Sequence, residues 1–129
     1  MKVILAETAG FCYGVERAVK LAQETAKARG GAMLGSIVHN AGVVRGIEDL
    51  GMRLITSPEQ ARAGETVLIR AHGERRETLE QLQDRGAEVV SAVCPHVERI
   101  RTLARKAEDE GRRVVLIGER NHPEVQGIV

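Results

Sequence analysis

Short aliphatic runs alternate along this chain with stretches whose apolar residues return every three or four positions, the pattern of strands alternating with amphipathic helices. Residues 2–7 carry Val3, Ile4 and Leu5 in an unbroken run that fits a strand covered on both faces. Gly10 and Gly14 bracket a tight turn. Val15, Ala18, Val19, Ala22 and Ala26 then recur at helical spacing until Gly30-Gly31 supplies a C-cap. The same unit follows again. A strand over 32–38 leads into His39-Asn40, a helix over 43–50 closes at Gly51, and a strand occupies 53–55. Ser57 and Pro58 provide the N-cap and first-turn proline of a short helix ending near Gly64. A strand over 66–71 delivers His72-Gly73, a helix over 75–85 stops at Gly86, and a strand over 88–93 delivers Cys94-Pro95. A helix over 97–110 stops at Gly111, and a strand over 114–117 leads to a turn formed by His122-Pro123-Glu124.

Three helix-to-strand junctions share one pattern: Asp49-Leu50-Gly51, Asp84-Arg85-Gly86 and Asp109-Glu110-Gly111. Their separations, 35 and 25 residues, are unequal, whereas a solenoid would keep its period. They are the αβ loops of one alternating fold, so the predicted class is α/β with a mainly parallel sheet and right-handed crossovers. The 129 residues are one domain's worth of chain.

Composition narrows the function. Nineteen Lys plus Arg against 18 Asp plus Glu leave a formal charge of +1, with both signs interspersed, so no electrostatic footprint for nucleic acid or an anionic membrane exists. No apolar run approaches the roughly 18 residues of a spanning helix, and the first residues read as a strand rather than a signal peptide. A cytoplasmic protein is expected, with no nucleic-acid or membrane partner. Two Cys are too few for a disulfide scaffold, and both are expected to be reduced. The chain has no Trp, and its single Phe and single Tyr, Phe11 and Tyr13, flank Cys12. The core is therefore aliphatic, gaining roughly 25 cal/mol per Å² of buried apolar surface, while both large rings go to one thiol.

Cys12, His39, His72, Cys94 and His122 each fall at or just past the end of a predicted strand; only His96 lacks a strand of its own. In an open α/β sheet ligands bind outside the carboxyl ends of the strands, so five segments aim a soft or imidazole side chain at one edge. Cys12 and Cys94 each precede a helix, where the macrodipole favours thiolate. Two such thiolates beside imidazoles could take a soft metal, although the close pair of a zinc ribbon is missing. Ala71-His72-Gly73 and Val38-His39-Asn40 present His beside backbone N–H groups, which suits a phosphate. His122-Pro123-Glu124 places imidazole and carboxylate on one turn, able to relay a proton or bind an anion. No nucleotide-binding glycine motif is present.

Taken in order, Gly10-Phe11-Cys12-Tyr13-Gly14-Val15-Glu16-Arg17-Ala18-Val19, Ile37-Val38-His39-Asn40, Ala71-His72-Gly73, Cys94-Pro95 and His122-Pro123-Glu124-Val125-Gln126-Gly127 resemble the 4-hydroxy-3-methylbut-2-enyl diphosphate reductase family, terminal enzymes of the methylerythritol phosphate route to isoprenoids. The resemblance covers the whole chain but about the N-terminal half of a family member. It implies the N-terminal portion of a three-domain α/β iron-sulfur reductase around a 4Fe-4S cluster held by three Cys. By that resemblance Cys12 and Cys94 are the first two metal ligands, His39, His72 and His122 bind substrate, and Glu124 is the catalytic acid for allylic C–O cleavage. A ferredoxin or flavodoxin supplies the electrons, and isopentenyl and dimethylallyl diphosphates are the products. On this view residues 1–96 form a first α/β unit carrying both Cys, with strand 1–8 owed to a domain completed elsewhere, and 97–129 begin a second unit.

The chain also departs from the family. It has no third Cys, Ser91-Ala92-Val93 stands where Asp-Ala-Thr is usual, and His96 replaces an apolar residue. The isolated chain is therefore expected to be inert, as a truncation, an incomplete reading frame, or half of a split enzyme whose second chain supplies the missing thiolate. Two competing readings need no reductase: a zinc-binding structural or interaction module built on Cys12, Cys94 and His, or a non-redox domain that binds a phosphate ligand through the His loops.

Overall fold

The structure, a computed structural model, describes residues 1–128. Four parallel strands form one sheet in the order β2-β1-β3-β4, with β1 at Gly31–Leu34, β2 at Met52–Ile55, β3 at Thr66–Ile69 and β4 at Glu88–Ser91. Helices α1 (Tyr13–Arg29), α2 (Ala41–Glu48), α3 (Arg76–Asp84) and α4 (Pro95–Asp109) fill the connections and the flanks, and a short α5 (Pro123–Ile128) ends the described chain. The α/β class and the parallel sheet are as the periodicity predicts.

Register explains the layers. Met33 pairs with Leu68, and Leu68 with Val90, so these side chains share one face. On that face they meet Ala18, Ala22 and Ala26 of α1 and Val44 and Ile47 of α2. Alanine at every fourth position gives α1 a flat stripe, and the helix lies close to the sheet. Ala32, Leu34, Val67, Ile69 and Val89 point to the opposite face, where Leu79 and Leu82 of α3 cover them. The aliphatic core is thus two sheets of contact on either side of β1 and β3.

One glycine is dictated by the pairing of those central strands. Gly31 has φ +126°, and a Cβ built there would lie 2.2 Å from the Thr66 carbonyl oxygen. Only glycine satisfies both the backbone angle and the close approach.

Several sequence expectations are corrected. Residues 2–7 are not a strand: they pair with nothing among the described residues, and Val3, Ile4 and Leu5 are 78%, 79% and 83% exposed. Residues 114–117 are not a strand either, with Ile117 93% exposed. An apolar run becomes a strand only when its N–H and C=O groups pair with a neighbouring strand, and neither run pairs with the outer edge of β2 or of β4. The strands predicted over 32–38, 66–71 and 88–93 are shorter, because their last residues leave the ladder to form the loops that carry His39, His72 and Cys94. The segment after Ser57 is a single 3-10 turn, Pro58–Gln60, in which the Gln60 side chain accepts from the N–H groups of Thr56 and Ser57. His122-Pro123-Glu124 opens α5 rather than a free turn, since Pro123 occupies a first helical position that needs no N–H partner.

Leu68 is fully buried between both layers. Leu68→Ala should lower the unfolding free energy by about 2–5 kcal/mol, read as a shifted midpoint with unchanged slope in urea denaturation.

Candidate functional site

The strand order 2-1-3-4 reverses between β1 and β3, so the loops leaving these two strands part to opposite faces and open a crevice at the carboxyl edge. His39 lies on the loop after β1 and His72 on the loop after β3. Their ring centroids are 4.6 Å apart. His122, from the segment preceding α5, completes a triangle with centroids 6.2 Å from His39 and 5.9 Å from His72. Three imidazoles separated by many residues in sequence therefore meet where the topology places a ligand. His96 is not among them; it is exposed in the first turn of α4.

The environment sets their chemistry. His72 is half-buried, and its pKa is lowered chiefly by burial and next by the charge of His39; His122 and Arg70 add to the lowering, and Glu124 opposes it. It is held neutral. Its Nδ1 is buried with no hydrogen-bond partner among the described residues, and a buried polar atom of this kind requires a donor or acceptor from outside the chain. The Glu124 N–H donates to His122 Nδ1 at 3.3 Å, so a neutral His122 carries its proton on Nε2. Asn40 caps α2, its Oδ1 accepting from Gly42 and Val43 N–H groups at 3.1 Å each. His39 thus stands one residue before a capped helix N-terminus, whose dipole favours an anion.

The thiols occupy helix starts. Cys12 is the N-cap residue of α1 and Cys94 that of α4, each with extended backbone and no side-chain cap. Both are free, Cys12 exposed and Cys94 partly buried. They share one locality: a Cβ at Gly14, two residues past Cys12, would lie 2.6 Å from Cys94 Sγ. The Arg17 guanidinium, also on α1, donates to the Val93 carbonyl at 3.1 Å. The Cys94 N–H donates to the Ala71 carbonyl at 2.9 Å, which ties the second thiol to the residue before His72.

Two cysteines at helix N-termini fit part of a thiolate-held iron site. Among the described residues no group of three or more His, Cys, Asp or Glu is arranged to hold a metal ion. A self-contained zinc site built on Cys12, Cys94 and His is thereby not formed, because the imidazoles cluster with one another rather than around the sulfurs.

One further residue also belongs here. Arg101, to which the sequence pattern assigns no role, is 8% exposed and donates to the carbonyls of Glu74 and Gly127. The available signal was its spacing, one turn after the buried Val97 on the same helix face.

A doubly wound α/β domain with thiols and imidazoles on its carboxyl edge belongs to the class of ligand-binding domains that use the switch-point crevice. The family model for LytB protein matches residues 3–129, and the chain belongs to that family. Curated relatives named 4-hydroxy-3-methylbut-2-enyl diphosphate reductase include that of Syntrophotalea carbinolica, 43% identical over 130 residues, covering 100% of this chain and 46% of the relative. That of Aquifex aeolicus is 44% identical over 127 residues, covering 97% of this chain and 44% of the relative. A solved structure of (E)-4-hydroxy-3-methyl-but-2-enyl diphosphate reductase, described as the terminal enzyme of the non-mevalonate pathway, matches with TM-score 0.85 and 44% identity over 98% of this chain and 45% of that one. The E-1-hydroxy-2-methyl-but-2-enyl-4-diphosphate reductase of Plasmodium falciparum matches with TM-score 0.89 and 28% identity over 95% of this chain and 39% of that one. The chain spans less than half the length of these relatives. No helix among the described residues is long and apolar enough to cross a membrane.

The His72 environment has a readable sign. Its folded pKa is lowered, so the unfolded chain takes up the proton first; this stabilisation is complete above the ordinary histidine range, about 6.5, and declines as pH falls below it. In an NMR titration His72 should titrate below the ordinary value. His39→Ala should move it upward without restoring it fully, because burial is the larger cause. An ordinary value in the unmodified chain would contradict the burial argument.

Proposed function

We propose that the chain is the N-terminal part of an iron-sulfur reductase that removes the hydroxyl group of (E)-4-hydroxy-3-methylbut-2-enyl diphosphate to give isopentenyl and dimethylallyl diphosphates. The observation that carries this reading is the convergence of His39, His72 and His122 at the switch-point crevice, beside a segment that begins at Cys94. It is supported by family membership and by the names of the relatives.

In this reading the three imidazoles bind the substrate, His39 and His72 on the diphosphate. His122 Nε2 is left as the donor once Nδ1 is occupied by the Glu124 N–H. Glu124 sits close enough to His72 to influence its charge, and as a carboxylic acid it delivers a proton to the departing hydroxyl oxygen, which leaves as water. Breaking the allylic C–O bond takes up two electrons and two protons in all. Cys12 and Cys94 would hold two irons of a 4Fe-4S cluster, which when bound would supply electrons singly together with a Lewis-acidic iron. A ferredoxin or flavodoxin is the electron donor, and the setting is cytoplasmic. The third thiolate comes from polypeptide that corresponds to the remaining length of the relatives.

The exposed runs 2–5 and 114–117 fit the same reading: both are aliphatic, both lack a pairing partner, and contiguous exposed apolar chain is unfavourable unless something covers it. Pairing with that further polypeptide would cover them. Residues 1–96, apart from the first run, form one α/β unit, and the segment from 97 onward opens a second.

Anaerobic reconstitution with iron, sulfide and a small thiol tests the metal. Visible thiolate-to-iron absorption should develop and should vanish in Cys12→Ser and in Cys94→Ser. Gly14→Ala, which sets a methyl 2.6 Å from Cys94 Sγ, should lower the iron content without unfolding the sheet. Tight, colourless zinc binding in place of this absorption would favour the structural module. The isolated chain should not reduce the allylic diphosphate. Co-expression with a polypeptide matching the other half of a relative should restore turnover and protect the amides of 2–5 and 114–117 from hydrogen exchange. Turnover by the chain alone would overturn the reading.

A further inference from the structure

Arg101 is the most buried cation of the structure outside the proposed machinery, and its partners are unusual for a helix-surface residue. Its Nε donates to the Gly127 carbonyl of α5, and one terminal nitrogen donates to the Glu74 carbonyl at 2.6 Å. The other lies 3.5 Å from the exposed Glu98 carboxylate one turn earlier. The guanidinium is flanked by two glycines. A Cβ at Gly73, whose φ is +89°, would stand 3.1 Å from Nη1, and one at Gly127 would stand 3.1 Å from Nη2. A planar fork is thus slotted between two backbone segments that have no side chain to obstruct it, an arrangement that an ammonium on a flexible stem cannot reproduce.

These segments are the ones that carry the crevice. Gly73 and Glu74 directly follow His72, while Gly127 lies in the helix whose first turn is joined to His122 by the Gln126 N–H to His122 carbonyl bond. Arg101 itself sits on α4, the helix capped by Cys94. The His39–His72 spacing is set by adjacent strands, β1 and β3. No strand holds His122; its segment reaches the crevice only through α5. We propose that Arg101 is a positioning residue that clamps α5 to the His72 loop and so fixes His122 and Glu124 against the His39–His72 pair. The inference rests on the substrate-binding reading given above and adds to it the group that assembles the site.

The test uses the full 129-residue chain and inorganic pyrophosphate. Imidazole NOE cross-peaks should link His72 to both His39 and His122. In Arg101→Gln the His72–His122 peaks should disappear while the His39–His72 peaks and the methyl resonances of Met33 and Leu68 persist. The pyrophosphate Kd should rise about tenfold, the scale of a lost charge-assisted contact. Arg101→Lys should not rescue either readout. Gly127→Ala keeps the guanidinium but crowds Nη2, and it should weaken the same peaks to a lesser degree; it serves if Arg101→Gln does not fold. A variant that melts lower yet keeps the His72–His122 peaks and the original affinity would reduce Arg101 to a structural role and overturn the proposal. Absence of those peaks in the unmodified chain would overturn it as well. Should the unmodified chain show the peaks but not bind pyrophosphate, the substrate reading fails and the NOE pattern alone decides the clamp.

Discussion

The parallel pairing of β1 with β3 is the constraint on which the rest of the structure depends. It joins two strands separated by the whole β2 excursion, and it is possible only because Gly31 lets the Thr66 carbonyl approach where a side chain would stand. From this pairing come the reversal of topology, the crevice between the two loops, and the 4.6 Å approach of His39 to His72. The chemistry of the imidazoles is a consequence of backbone hydrogen bonding several residues away.

Electrostatics then follows from direction. In a parallel sheet the returning helices run against the strands, so α1, α2 and α4 begin at the edge where the strands end. Their positive ends face the same region as the thiols and imidazoles, which is the polarity that thiolates and a diphosphate need. The price of that arrangement is borne locally: burial, and next His39, disfavour the charged form of His72, and one of its nitrogens is buried without a partner among the described residues.

Much of this was legible in the sequence because strand ends are punctuated. His39, His72 and Cys94 follow strands that do form, whereas Cys12 and His122 follow the runs 2–7 and 114–117, which do not; the three His nonetheless converge. The runs 2–7 and 114–117 misled because hydropathy records the wish to be covered, not the identity of the cover; pairing is a property of two segments, and hydropathy reads one at a time. Arg101 escaped for the opposite reason. Composition treats every arginine as a surface charge, and the fact that gives this one its meaning, a pair of glycines facing each other across its guanidinium, exists only after residues 73, 101 and 127 have been brought together.

All ladder bonds of the sheet lie between Gly31 and Ser91. During synthesis the crevice holding His39 and His72 can therefore take shape as soon as β4 has left the ribosome, before His122 has emerged. Maturation becomes sequential: a rigid half-pocket first, then its third imidazole.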